Sequence, residues 1–184
     1  MKKPLTRLAL LALLAASAPA LAVEPGEPPP WSAAVRAGAV VLRLVGVSDH
    51  PTGPDVELSF GRTIYEFVSV EVNAGAHTAT LARTGTRLTV FPLTVSLKLT
   101  AAPDFGFEGY AVVGLGANLT RLRGGSLAAA SESDVAYHAG LGVRRRFGEN
   151  LFVGLEGRLF TQGAAGPLGG IDGLRLSALA GALF

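Results

Sequence analysis

Hydrophobic and polar residues alternate along much of the chain, most regularly at residues 88–100 (LTVFPLTVSLKLT). One parity is apolar and consists of Phe91, Leu93, Val95, Leu97 and Leu99. The other is mostly small or polar and consists of Pro92, Thr94, Ser96, Lys98 and Thr100. Successive side chains of a strand point to opposite faces, so the pattern predicts a strand with one apolar face. Its length matches the ~9–11 residues that a tilted strand needs to cross a bilayer.

Seven further segments alternate in the same way. The predicted strands are residues 32–47, 56–64, 68–77, 88–100, 107–122, 134–147, 151–160 and 174–184. The connections are alternately long and short, with the long loops at 48–55, 78–87, 123–133 and 161–173. Outer-membrane barrels have short periplasmic turns and longer extracellular loops. The chain therefore predicts an all-β fold, an eight-stranded antiparallel up-and-down transmembrane β-barrel with both termini in the periplasm.

Aromatic residues are expected to form girdles at the two membrane interfaces. Those at the periplasmic ends of the predicted strands are Trp31, Tyr65, Phe67, Phe105, Phe107, Tyr110, Phe147, Phe152 and Phe184. Those toward the outer ends are Phe91, Tyr137 and Phe160. The clustering of rings near strand ends agrees with a membrane barrel.

The N-terminal residues predict export. A basic head (Lys2, Lys3 and Arg7) precedes an apolar segment and an Ala-Leu-Ala cleavage site at residues 20–22. The pattern is typical of a signal peptide, and the apolar run, interrupted by Pro19, is shorter than the ~18 residues of a membrane helix. We predict a signal peptide at 1–22, a proline-rich lead-in at 23–30 and a barrel at 31–184, located in the outer membrane of a Gram-negative cell.

The composition argues further for a membrane protein over a soluble one. Charged residues make up 16% of the chain, against about 25% in a soluble domain. That is too few to cover the exterior of a soluble barrel, which would also need its apolar residues inside. Without the signal peptide the chain has no basic surplus, and no basic stripe is present, so no nucleic-acid partner is predicted. The chain has no cysteine, which excludes disulfides and thiolate chemistry.

Charged residues on the inward parity are the most informative polar groups. They are Glu57, Glu71, Lys98, Arg144, Arg146, Glu156 and Arg158. The turn positions place Glu57, Glu71, Glu156 and Arg158 opposite glycines, Glu156 diagonal to Arg144, and Lys98 facing Glu108. Two interpretations stay open: an ion-pair network that plugs a bore only about wide enough for side chains, or a charged constriction that selects solutes.

Several arginines share the outward parity, namely Arg43, Arg62, Arg121 and Arg145. Near the membrane interfaces an outward arginine costs only ~0–1 kcal/mol. Five arginines toward the outer end are candidate contacts for lipopolysaccharide phosphates: Arg43, Arg83, Arg87, Arg121 and Arg123. Guanidinium groups bind phosphate bidentately. The alternative is an ordinary solvated rim. The predicted partners are thus outer-membrane lipids and lipopolysaccharide.

Catalytic and metal-binding residues are not predicted. The three histidines, His50, His77 and His138, have no ligand spacing, so neither a metal nor a cofactor is expected. Ser131, Ser133 and Asp134 lie near His138 in the sequence, but such a set arises often by chance. A lipid-A-modifying enzyme is therefore the least favoured class.

The stretch FPLTVSLKLTAAPDFGFEGYAVVGLGANLTRL at residues 91–122 resembles the OmpW-like family, in which a Pro-Leu or Pro-Thr strand precedes a Tyr-Val-Gly-x-Gly-x-Asn-Tyr-Thr-type strand. Residues 138–158 look like that family's next hairpin. The resemblance implies an eight-stranded barrel that passes small, often hydrophobic molecules through an apolar channel, from which the inward charges of this chain depart. The terminal Phe184, typical of outer-membrane barrels, implies recognition of the last strand by the barrel-assembly machinery.

Three functions are consistent with the sequence. The first is a narrow passive pore or binding barrel for small solutes. The second is a structural or surface-interaction barrel with a plugged lumen. The third is the lipid-modifying enzyme. A lumen that is closed along its length would disfavour transport.

Overall fold

The computed structural model describes residues 31–44, 50–101, 106–125, 130–162 and 170–184. The predicted signal peptide and lead-in, with Phe105, lie outside these residues. The eight strands are β1 (Trp31–Leu44), β2 (Thr52–Tyr65), β3 (Val68–Leu81), β4 (Thr86–Thr100), β5 (Phe107–Arg123), β6 (Ala130–Phe147), β7 (Leu151–Gln162) and β8 (Ile171–Leu183). In the described part of the chain, no helix is long and apolar enough to cross a membrane.

The strands form one closed barrel. Each strand pairs antiparallel with its successor in the chain, and β8 returns to pair with β1. Closure leaves no unpaired edge, so the backbone hydrogen bonds are satisfied within the sheet, as hydrocarbon requires. The predicted eight-stranded antiparallel up-and-down barrel is confirmed.

The exterior of the barrel is a belt of apolar side chains. Leu141, Leu155 and Leu159 are 71%, 63% and 66% exposed, and Leu93 is 51% exposed. Soluble monomers rarely expose contiguous apolar patches larger than a few hundred Å². The predicted outward direction of these residues is correct, and the belt suits a lipid environment.

Seven of the strands are longer than predicted at the outer end of the barrel, the end opposite the chain termini, while residues 45–47 of the predicted first strand lie outside the described residues. The predicted loop 78–87 is wrong, since β3 continues to Leu81 and β4 begins at Thr86. The remaining connection 82–85 is shorter than the opposite connection 101–106, so the strict alternation of long and short connections is also wrong. The hydrophobic pattern changes here, because Ala79 and Leu81 point inward while Thr80 between them is exposed.

Three aromatic residues point into the barrel rather than into an interface. Tyr110 and Phe152 are 5% and 3% exposed, and Phe160 is half-buried against the interior core. All three lie on the inward parity of their strands, which fixes their direction. Trp31 lies at the end of the barrel that carries the chain termini, where it stacks on Phe60 with ring centroids 5.1 Å apart.

Candidate functional site

The centre of the lumen is organised around Arg36, which projects inward from β1 and is 2% exposed. Its guanidinium contacts three carboxylates from three other strands. Nη2 donates to Glu71 Oε2 at 3.0 Å, Nη1 donates to Glu57 Oε1 at 3.4 Å, and Nε lies 3.2 Å from Glu156 Oε1. One arginine therefore links β1 to β2, β3 and β7 across the bore.

Two further arginines complete the cluster around Glu57. Arg158 Nη1 donates to Glu57 Oε1 at 2.9 Å, and Arg158 Nε lies 2.5 Å from Glu156 Oε1. Arg175 Nη1 donates to Glu57 Oε2, and Arg175 Nε lies 3.2 Å from Asp55 Oδ1. Arg158 and Arg175 are buried, so their charges depend on these carboxylates for compensation.

Lys98 joins the same network by donating to Glu71. We call the connected set the ionic network; its members are Arg36, Asp55, Glu57, Glu71, Lys98, Glu156, Arg158 and Arg175. Its acids and bases are equal in number, so the network is formally neutral. Removing one partner of such a buried pair leaves an uncompensated charge. The network spans the lumen and fills it.

The glycines opposite the charges have a packing role. Register pairs Glu71 with Gly61, Glu57 with Gly75, Glu156 with Gly142, and Arg158 with Gly140, as predicted. At Gly142 a Cβ would lie 2.2 Å from the Tyr110 ring. The Tyr110 side chain lies over Gly142, and its hydroxyl donates to Glu156 Oε2 at 2.8 Å. Because glycine has no side chain, these positions leave room for the large charged and aromatic side chains.

A second ion-pair cluster lies toward the end of the barrel that carries the chain termini. Glu108 lies 2.6 Å from Arg144 Nε and 2.6 Å from Arg146 Nε. The predicted pairing of Lys98 with Glu108 is wrong, because the register of β4 and β5 places Lys98 opposite Val112. Glu108 lies opposite Arg144 instead, and no contact between Arg144 and Glu156 is present among the described residues. The Arg146 side chain is 46% exposed, so it sits at the mouth.

An uncharged polar layer lies beside the ionic network. Asn73 Nδ2 donates to Ser96 Oγ at 2.8 Å, and Ser96 Oγ lies 2.9 Å from His138 Nε2. Ser96 of this pair is buried, whereas His138 also lines a cavity of about 590 Å³ together with the outward-facing Tyr137 and Leu159. The loop set suggested by sequence is not assembled: Ser131 and Ser133 face outward from β6. Asp134 accepts a hydrogen bond from Gln162 Nε2 at 2.7 Å.

An apolar core closes the outer part of the lumen. We call this group the apolar cap; its buried members are Val40, Leu42, Ala79, Leu81, Leu88, Val90, Leu122 and Ile171. Phe160 packs against it from β7. The sequence analysis assigned the apolar residues of each strand to the outward face, so it did not predict the cap. Between the cap and the ionic network lies a cavity of only about 20 Å³.

The arginines of the outer end lie at three places on the barrel. Arg87 lies directly opposite Arg123 across β4 and β5, and Arg121 lies on β5 with its guanidinium 5.5 Å from the Phe91 ring centroid. We call Arg87, Arg121 and Arg123 the arginine rim; all three are exposed. Arg43, on β1, lies on the opposite side of the barrel. Arg83 is exposed in the connection 82–85.

Among the described residues, no group of three or more His, Cys, Asp or Glu side chains is arranged to hold a metal ion.

Solved structures with the same architecture include three outer-membrane proteins. Neisserial surface protein A is 14% identical and has a TM-score of 0.70, with 84% of this chain and 97% of that chain covered. Ail of Yersinia pestis is 12% identical with a TM-score of 0.59, covering 86% and 100%. The outer-membrane enzyme PagL is 16% identical with a TM-score of 0.50, covering 80% and 97%.

No family model and no curated relative matches the chain by sequence. The structural similarity therefore rests on the fold rather than on shared residues. Because the matched proteins include an enzyme, the fold alone does not decide whether this chain is catalytic. The chain has the architecture of the small outer-membrane β-barrels, which is as far as the likeness extends.

Proposed function

We propose that this chain is an outer-membrane barrel with a structural, closed lumen, and that it acts at its outer surface by binding the phosphate groups of lipopolysaccharide. The observation that carries the proposal is the filled interior. The ionic network and the apolar cap lie in series along the bore. An eight-stranded barrel is only about wide enough for side chains, and here the side chains occupy it.

The filled lumen favours the plugged barrel over the narrow pore. A solute would have to break the contacts of Arg36 with three carboxylates and then pass the apolar cap. Each broken pair would leave a buried charge without compensation, a cost of several kcal/mol. A constriction that selects solutes needs binding weak enough for the solute to leave. The surface-interaction hypothesis therefore replaces the pore as the leading one.

The outer-membrane location is part of the proposal. The predicted signal peptide and the apolar belt support it together, since an exported chain with an apolar exterior and no unpaired strand edge suits a bilayer. Recognition of the last strand, ending near Phe184, by the barrel-assembly machinery is proposed on the same grounds. Membership of the OmpW-like family remains a prediction, and the charged, filled interior differs from the apolar channel associated with that family.

The arginine rim has the chemistry of a phosphate site. Like charges directly opposite on neighbouring strands are destabilising, and Arg87 and Arg123 are such a pair. A bound dianion would turn their repulsion into attraction, and guanidinium groups match phosphate oxygens in geometry. The rim lies at the outer end of the strands, where a lipopolysaccharide headgroup would meet a barrel of this orientation.

Replacing Arg121 and Arg123 together with alanine is expected to reduce co-purified lipopolysaccharide about tenfold or more, because a hydrogen bond to a charged group contributes about 1.5–3 kcal/mol. Lipopolysaccharide per barrel is measured after purification in mild detergent. The matched control is the double change of Arg62 and Arg145 to alanine, which removes two outward arginines from the periplasmic end. Equal retention in both double variants would contradict the phosphate site.

An enzymatic function is not proposed. Ser96, which lies next to His138, is only 1% exposed, so its hydroxyl is not accessible to a lipid substrate. The arrangement of PagL does not bear on this, since the likeness to that enzyme is one of fold.

A further inference from the structure

The small cavity in the lumen is lined by polar and apolar groups from seven strands. It lies between the ionic network and the apolar cap, and its lining comes from every strand except β1. His77, Asn118, His138 and Arg158 contribute polar groups to its wall, and Phe160 contributes an apolar one. The cavity thus marks the boundary between the charged and the apolar parts of the interior.

Several polar atoms of the lining have no hydrogen-bond partner in the protein. They are both ring nitrogens of His77, Oδ1 of Asn118 and Nη2 of Arg158. His77 and Arg158 are each 2% exposed, and Asn118 is 3% exposed. His77 Nδ1 lies 3.8 Å from Asp55 Oδ1, beyond hydrogen-bond length. Buried polar groups in proteins are nearly always satisfied, so these atoms require a partner.

We infer that the cavity is a built hydration site, in which one or two buried water molecules connect His77, Asn118 and Arg158. The volume fits, since a cavity of ~10–15 Å³ or more can hold one water, and this one measures about 20 Å³. Ordered buried waters make about three hydrogen bonds to otherwise unsatisfied groups.

The donors and acceptors are complementary to water rather than to an ion. Asn118 Oδ1 accepts only, and Arg158 Nη2 donates only. A neutral His77 ring offers one donor and one acceptor. A water molecule, with two donors and two acceptors, satisfies such a mixed set. An anion would be repelled by the acceptor Asn118 Oδ1. It would also be repelled by the carboxylate of Glu57, which lines the cavity as well.

The hydration site adds a polar link between the ionic network and Asn118 of β5. Asn118 Nδ2 already donates to Gln162 Oε1 at 3.1 Å, and Arg158 already belongs to the ionic network. The water joins these two groups through His77, whose ring lies 5.6 Å from the Phe160 ring. The ionic network is thereby connected to the hydrogen bond between Asn118 and Gln162.

A high-resolution crystal structure of the full barrel in detergent tests the inference. We expect density in the cavity at about 2.7–3.2 Å from at least two of Asn118 Oδ1, Arg158 Nη2 and the His77 ring nitrogens. Crystals soaked in bromide are expected to show no anomalous peak there. A cavity filled by a shifted side chain, a cavity without density, or a bromide peak would each overturn the inference.

Two variants sharpen the test. His77→Leu with Asn118→Leu removes the polar atoms while keeping similar bulk, and the density is expected to disappear. His77→Gln retains a donor and an acceptor, and the density is expected to remain. If the double leucine variant fails to fold, the wild-type and glutamine structures still decide, because density lost in His77→Gln or absent from the wild type contradicts a site built from these groups.

Discussion

Replacing Arg36 with methionine is expected to lower the free energy of unfolding by about 3–5 kcal/mol, the range for breaking a buried ion pair by removing one partner. Methionine keeps much of the length of arginine but none of its donors. Glu57, Glu71 and Glu156 would each lose a contact. The remaining bases Arg158, Arg175 and Lys98 would then face an excess of buried acid.

Denaturant unfolding in detergent, followed by the fluorescence of the single tryptophan, measures this change. The matched control is Arg145→Met, which removes an arginine that is exposed and lies over the Phe107 and Phe147 rings at 5.4 and 5.5 Å. Exposed cation–π contacts contribute about 0.5–1 kcal/mol. A loss for Arg36→Met no larger than that of the control would show that the network does not stabilise the barrel.

Adding one methyl group at Gly38 is expected to impair closure of the barrel. Gly38 lies on β1 opposite Ser177 of β8, at the seam where the last strand meets the first. A Cβ at this position would lie 2.0 Å from the Leu176 carbonyl oxygen and 2.6 Å from Ser177 Cα. Both are backbone atoms and cannot rotate away, so we expect Gly38→Ala to cost at least the ~1–3 kcal/mol of ordinary overpacking.

The folded fraction after refolding into detergent, read from gel mobility without heating, measures the effect. Gly109→Ala is the control, since a Cβ there meets no atom within 4 Å, and surface changes of this kind are usually within about 0.5 kcal/mol. If Gly38→Ala refolds as well as Gly109→Ala, β1 and β8 do not pack as closely at Gly38 as the structure shows.

The fold was predictable because apolar and polar residues alternate with a period of two, which only a strand explains. Residues 88–100 fix which side chains face out, and the same parity rule identified Glu57, Glu71 and Lys98 as inward-facing. The tight turn near Glu66 then set the register between Glu57 and Gly75. Local sequence is sufficient for these features, because strand direction and turn position determine them.

The sequence analysis did not identify Arg36 and Arg175 as members of the ionic network. Both arginines lie on the inward parity of their strands among small residues, where the alternation of apolar and polar side chains is weak. Asp55 was assigned to a loop, although β2 begins at Thr52. Extending the parity rule through the whole of β1 and β8 identifies both arginines. The pairing of three carboxylates with one guanidinium depends on closure of the barrel, which a single strand does not reveal.

The apolar cap was missed because the pattern reverses near the outer end. Where a barrel leaves the hydrocarbon, its exterior becomes polar and its interior is free to be apolar. Leu88 and Val90 therefore point inward, although they share the strand of the outward-facing Leu93. A rule that assigns apolar residues to the lipid-facing side along the full strand therefore fails at the outer end of the barrel.

Solvent access to the lumen tests the central claim most directly. The chain has no cysteine, so single cysteines at Ser96 and Ser177, which are 1% and 5% exposed, report entry of a charged, water-soluble thiol reagent. Glu66→Cys, in the exposed β2–β3 turn, is the positive control. We predict rapid labelling of Glu66→Cys and labelling of Ser96→Cys and Ser177→Cys only after unfolding. Labelling of either lumen cysteine in the folded barrel at the rate of Glu66→Cys would contradict a closed interior.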